Sequence, residues 1–234
     1  MLKSDIAVGT ETLTTNGWLK ETPPEFAAAI LAHCNWRTME AGTAIQHAGD
    51  TSGGLIGIAR GTISLTTALG SPDSPMIHIG HPGTWLGFIP LFSAVGRAVS
   101  VMARSDVVLA RLSQVELERL LWEQPVWWRH VGTLGVIYGN TATNIASDLM
   151  IRDSSRRCAA SLLRLANCRF QDDDGQRNVE APLSQDELAA LSNLSRTSVS
   201  TILHDLVDAG LISLGYRSVI LHDTPRLRAL VDEV

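Results

Sequence analysis

Between Ser195 and His204 the chain gathers Arg196, Thr197, Ser198, Ser200 and Thr201, short hydroxyls around a single guanidinium. Side chains of this kind donate and accept on the scale of a base edge. At a helix N-terminus they also sit where backbone N–H groups favour phosphate. Their chemistry is recognition of nucleic acid. Nucleophilic or acid–base catalysis is not suggested, since no Gly-rich phosphate loop, HExxH pair or GxSxG elbow occurs anywhere in the chain.

The surrounding sequence must hold these groups on a thin, exposed edge. Val199, Ile202, Leu203, Leu206 and Val207 recur at spacings of 3 and 4, so one face of a helix is buried. Ser195 caps that helix and Gly210 ends it. Upstream, Ser184-Gln185-Asp186-Glu187 has the capping-box pattern, Leu188, Ala189 and Leu191 form an apolar stripe, and Asn193-Leu194-Ser195 breaks it. Downstream, the β-like runs Leu211–Leu214 and Ser218–Leu221 are joined by Gly215-Tyr216-Arg217. The whole reads as a winged helix-turn-helix, with a recognition helix narrow enough for a major groove about 12 Å wide. Ser184 and Arg217 join Ser195, Arg196, Thr197, Ser198, Ser200, Thr201 and His204 as the expected DNA-binding set.

The residues from Leu183 to Ser200, then Leu206 through Gly210-Leu211-Ile212, closely resemble the C-terminal domain of the cyclic-AMP receptor and fumarate–nitrate reduction regulator (CRP/FNR) family. Weaker collinear matches extend the resemblance from about residue 18 to 222. It implies an α+β chain with an N-terminal jelly-roll sensor, a long dimerisation helix and a C-terminal winged helix. It also implies an inverted-repeat operator in double-stranded DNA, a second copy of the chain, RNA polymerase and a small-molecule effector as partners, with no resident cofactor.

The order of the chain fits. Residues 1 to 17 are polar and read as a loose arm, and Pro23-Pro24-Glu25 opens a short helix. Short glycine-punctuated strands then run from Met39 to Leu112, as a sandwich or jelly roll requires. Ser113-Gln114-Val115-Glu116 is a second capping box, on a helix that Pro125 interrupts. Val126 to Met150 is helical in pattern and carries no formal charge between His130 and Ser147. Trp127, Val131, Leu134, Tyr138, Thr141 and Ile145 form an imperfect heptad seam, read as packing on the chain's own barrel and on a partner's helix. Asp153-Ser154-Ser155 caps the next helix, and Gln171 to Asn178 reads as a charged loop. The expected domains are 1–125, 126–152 and 153–234.

The resemblance also marks a phosphate-binding cassette over Gly83 to Phe92 and Arg97 to Ala103. In cyclic-nucleotide binders of the family a Glu after the Gly grips the ribose, while an Arg and the following Ser hold the phosphate. Gly87 and Arg97 match, but Phe88 and Ala98 stand at the Glu and Ser positions. Losing the carboxylate removes charge-assisted bonds worth about 1.5–3 kcal/mol. The expected effector pocket is therefore Gly87, Phe88, Arg97, Ala98 and Thr143, with an effector other than cyclic AMP or none. Cys34 is the only cysteine near the N-terminus, too few for that family's iron–sulfur cluster, and the haem-ligating Cys and His are missing from the Leu86 to Ile89 loop. His78 and His81 lie close in sequence but read as structural rather than metal-binding.

Net charge is −5 and the charged fraction 18%. DNA affinity must then come from local arrangement and dimerisation rather than bulk charge. No apolar leader is visible, and Ser74 to Gly96 is too rich in Pro and Gly to span a membrane. Three widely spaced cysteines fit a reducing cytoplasm. The residues leave one rival open: a non-enzymatic ligand-binding or protein-interaction module whose winged helix has lost DNA affinity.

Overall fold

The computed structural model describes residues 3–67, 75–169 and 178–232. The chain forms two compact units, Met1–Gly139 and Asn140–Val234.

In the first unit, two four-stranded antiparallel sheets are built from the described residues. One has the order β1 (Asn35–Met39), β8 (Val107–Ser113), β3 (Gly54–Arg60), β6 (Trp85–Leu86). The other is β2 (Ala44–Gln46), β7 (Val99–Ala103), β4 (Ile63–Thr67), β5 (Met76–Gly80). Eight strands in two packed sheets are the expected jelly roll. Ile56 and Ile58 of β3 meet Ile63, Leu65, Val101 and Leu109 inside it. Leu55 and Ala59 turn the other way, under a helical layer carrying Phe26, Leu117, Val131 and Leu134. Because both faces of β3 are covered, its sequence is apolar from Gly54 to Ala59 instead of alternating, with the exposed Arg60 at its end.

That layer comprises α1 (Lys3–Thr15), a 3₁₀ turn (Trp18–Glu21), α2 (Pro24–Ala32), α4 (Gln114–Glu123) and the first part of α5 (Trp128–Met150); a short α3 (Ile89–Phe92) lies in the cassette. Residues 1 to 17 are thus not a loose arm: from Lys3 to Thr15 they form a helix. Its four threonines and one glycine argue against helix on propensity alone. Tertiary packing decides instead, through Leu13, fully buried, and Gly9, where any side chain would strike the Trp36 ring. Ser113 caps α4 through the Glu116 N–H at 3.3 Å. The reciprocal arm expected there is diverted, because the Glu116 carboxylate accepts from Arg119 Nε at 2.8 Å.

On α5 the first half of the seam packs, as expected, on the chain's own barrel. Val131 and Leu134 are buried in their own unit's core, with Trp127 and Tyr138 packed against it. The large apolar residues α5 exposes are Val136, Ile137, Leu149 and Met150.

In the second unit, α6 (Ser154–Leu165) is capped by Asp153, which accepts from the Arg156 N–H at 2.8 Å. It packs with α7 (Gln185–Ser192), α8 (Arg196–Asp208) and α9 (Thr224–Asp232). β9 (Val179–Ala181) joins β10 (Ile212–Gly215) and β11 (Ser218–Leu221) in the order β10-β11-β9. Near the C-terminal end of α5, Asp148 is buried and accepts from Arg164 Nε at 3.0 Å; Arg169 Nε lies 3.6 Å from its second oxygen. Of the loop expected from Gln171 to Asn178, only Asn178 is among the described residues.

Candidate nucleic-acid interface and the cassette region

Local signals position the recognition helix. Ser184 and Glu187 make a complete capping box on α7: the Glu187 N–H donates to Ser184 Oγ at 3.3 Å, and Ser184 N–H donates to the Glu187 carboxylate at 2.8 Å. Asn193 ends α7 in the left-handed region (φ 52°), which its short polar side chain tolerates. Two residues later Ser195 caps α8, accepting from the Ser198 N–H at 3.0 Å. At the far end Gly210 (φ 69°) donates to Val207 O at 2.8 Å and Leu211 N–H to Leu206 O at 3.0 Å. That is a Schellman closure, and the positive φ explains the glycine.

Val199, Ile202, Leu203 and Leu206 anchor α8 in the core. The opposite side exposes Arg196, Thr197, Thr201 and His204, with Ser198 and Ser200 half-buried beside them. Thr201 Oγ1 donates to Thr197 O at 3.2 Å, and His204 Nδ1 lies 2.6 Å from Ser200 O. These local bonds hold short side chains close to the helix and keep its tip narrow. Arg217 sits in the two-residue turn of the β10–β11 wing, in the left-handed region (φ 51°), beside Tyr216, which is 94% exposed.

Sequence reasoning missed what faces the two arginines. Arg196 Nε is 3.3 Å from Asp186 and Arg217 Nη2 is 3.8 Å from Glu187, both acids on the first turn of α7. The Arg196–Asp186 pair is exposed on both sides and of a kind worth about 0–1 kcal/mol, so a phosphate or a guanine can displace it cheaply, whereas Glu187 is only 22% exposed and also serves the α7 capping box. The capping box was legible; its second use depends on contacts across the helix-turn-helix that spacing does not show.

The cassette is differently furnished from a polar ligand cradle. Phe88 is buried against the core, its ring 5.6 Å from that of Tyr138, whose hydroxyl donates to Trp85 O at 2.7 Å. Gly87 adopts φ 95°, where an added Cβ would lie 2.8 Å from Gly54 O. Arg97 is only 5% exposed. Its Nε and Nη2 donate to Ser52 O at 3.1 and 2.8 Å, and Nη1 donates to Gln46 Oε1. Gln46 in turn donates to Val99 O at 3.1 Å. Burial pushes the Arg97 guanidinium below its ordinary value, with nearby Asp50 opposing. Ala98 is exposed, and Thr143 is exposed on the part of α5 that belongs to the second unit. Among the described residues no cluster of three His, Cys, Asp or Glu could hold a metal, and no helix is long and apolar enough to cross a membrane.

A jelly-roll sensor followed by a long helix and a winged helix with a polar recognition edge defines a transcription regulator. Residues 36–124 match the cyclic nucleotide-binding domain, and residues 156–230 match the Crp-like helix-turn-helix domain. The chain belongs to the CRP/FNR family. It is 27% identical to a cyclic AMP receptor protein of Thermus thermophilus over 215 residues, covering 90% of this chain and 93% of that one. It is 24% identical to a CRP-like cAMP-activated global transcriptional regulator of Mycobacterium tuberculosis, covering 93% and 97%. Among solved structures, FixK2 from Bradyrhizobium japonicum superposes with a TM-score of 0.70 at 16% identity, covering 86% of this chain and 98% of FixK2.

Proposed function

We propose that this regulator is a cytoplasmic homodimer that reads an inverted-repeat operator through α8, and that its effector, if it takes one, is not cyclic AMP. One observation carries the DNA-reading claim: the N-terminal turns of α8 offer Arg196, Thr197, Ser200 and Thr201 on one edge, while the opposite face is locked into the core. Arg196 is the base or phosphate contact. Thr197, Ser200 and Thr201 set the rest of the half-site. Ser184, Ser195, Ser198, His204 and Arg217 border the backbone.

Two-fold symmetry then demands half-sites whose centres lie about 34 Å apart. The exposed face of α5, with Val136 62% and Ile137 42% accessible, supports pairing of the helix with its copy, since large apolar side chains exposed side by side on a helix call for cover. Against cyclic AMP stand the buried Phe88 where a ribose grip would be and the Arg97 guanidinium already committed to Ser52 and Gln46. The relatives named for cyclic AMP therefore do not lend this chain their ligand. RNA polymerase follows as a partner from the family's role in transcription.

Selection of bound fragments from random duplex DNA tests the reading. Enrichment of one inverted repeat is the expected outcome. Retention of no sequence above background, at low salt and high protein, would favour the module that has lost DNA affinity.

A further inference from the structure

The first unit carries a groove of about 700 Å³, bounded by α1, the Trp18–Glu21 turn, α2 and the start of β1. Ile6, Leu19, Ala27, Leu31 and Trp36 give it an apolar lining. Among the described residues of that lining, the exposed Lys20 is the only formally charged one, and no Asp or Glu accompanies it. Cys34 also borders the groove; burial pushes its thiol up to about 12, as a dry wall does. Thr14 and Thr22 commit their hydroxyls to the carbonyls of Thr10 and Leu19, at 2.9 and 2.8 Å. The volume falls within the roughly 300–1,000 Å³ typical of small-molecule sites, and an apolar lining with one convergent charge is their usual chemistry.

The walls of this groove also hold the start of α5. Leu19 lines the groove, and its neighbour Trp18 donates through Nε1 to His130 O at 2.8 Å and to Thr133 Oγ1 at 3.0 Å. Phe26 of α2 packs its ring 5.4 Å from Trp127 and 5.0 Å from His130. A ligand that shifts the turn or α2 therefore shifts the first turns of α5. In the cassette Phe88 is buried and Arg97 is engaged by Ser52 and Gln46, whereas Lys20 stands exposed beside this groove.

We propose that the groove is an effector site for a small carboxylate-bearing amphiphile, with its apolar body against Leu19, Leu31 and Trp36 and its head at Lys20. The regulatory role rests on the DNA-binding reading; occupancy of the groove does not.

Titration of the full chain with decanoate, followed by calorimetry in the absence of DNA, tests occupancy. Saturable binding is expected. Lys20→Gln should weaken it by up to about five-fold, the upper end for one exposed charge pair, while decanol binds both proteins alike. Ala28→Trp, at an exposed position bordering the groove, should abolish binding with the circular dichroism spectrum and thermal midpoint unchanged. No saturable heat with the parent chain, or binding that both variants leave intact, overturns the site. Operator affinity by fluorescence anisotropy tests the role. Decanoate should change it in the parent chain and not in Ala28→Trp, and binding without any such change overturns the effector assignment. A chain that bound decanoate as described but no DNA would defeat only the DNA-binding reading.

Discussion

Replacing Asp148 by Ala should unfold the second unit well before the first. The Asp148 side chain is 2% exposed and that of Arg164 5%, and their 3.0 Å contact is supplemented by Arg169 at 3.6 Å. Among the described residues Arg164 Nη1 and Nη2 are buried without a hydrogen-bond acceptor, and Asp148 supplies this guanidinium's hydrogen-bonded counter-charge. Burial already pushes Arg164 below its ordinary value, with the bond to Asp148 opposing. Removing the carboxylate strands a buried cation, a change that typically costs about 3–5 kcal/mol. In a unit of this size each kcal/mol lowers the midpoint by roughly 4–8 °C, so a fall of about 12 °C or more is expected. The assay can separate the units, because all six tryptophans lie between Trp18 and Trp128, within the first. Far-UV circular dichroism should show an early transition that tryptophan fluorescence does not follow. The double variant Asp148→Leu, Arg164→Met should recover most of the loss, since a buried pair is often replaceable by apolar groups at little cost. A shift below about 1 kcal/mol, or a double variant no better than the single, would refute this account of the pair.

Two further outcomes follow from the placement of α5 and the cassette. Val136→Asp should convert dimers to folded monomers by light scattering, whereas Leu134→Asp should damage the first unit itself, because Leu134 is 1% exposed in its core. Dimers that survive Val136→Asp would place the interface elsewhere. Cyclic AMP should give no saturable heat at micromolar concentrations; tight binding abolished by Arg97→Ala would mean that the guanidinium leaves Ser52 and Gln46 for a phosphate.

Local signals made the winged helix legible. The Ser184 box, the Ser195 cap and the Gly210 terminus each act within a few residues of chain, and all three appear at the expected positions. The strands of the jelly roll were legible by their glycine punctuation, although the two-residue β6 and the mixed-polarity β1 were not. What escaped was whatever depends on distant partners. α1 exists because Leu13 and Gly9 fit against the barrel, which a threonine-rich sequence does not announce. The α5 stripe was visible, but periodicity says that a face is covered and not by what. Gln46 and Asp50 approach Arg97 from residues about fifty positions upstream, so a matching cassette arginine looked available in sequence and is engaged in the fold.

The central claim is that Arg196 and its neighbours on α8 read DNA, and the affinity of Arg196→Ala for a selected operator, measured across a salt series, tests it most directly. The loss of a base contact should cost about 1–3 kcal/mol and relax preference at one base pair. A contact to phosphate would instead weaken all sequences equally and make the salt slope shallower. Either result keeps α8 as the reader, because Arg196 is exposed and its displacement from Asp186 costs little. Operator affinity and preference unchanged by Arg196→Ala would contradict the account.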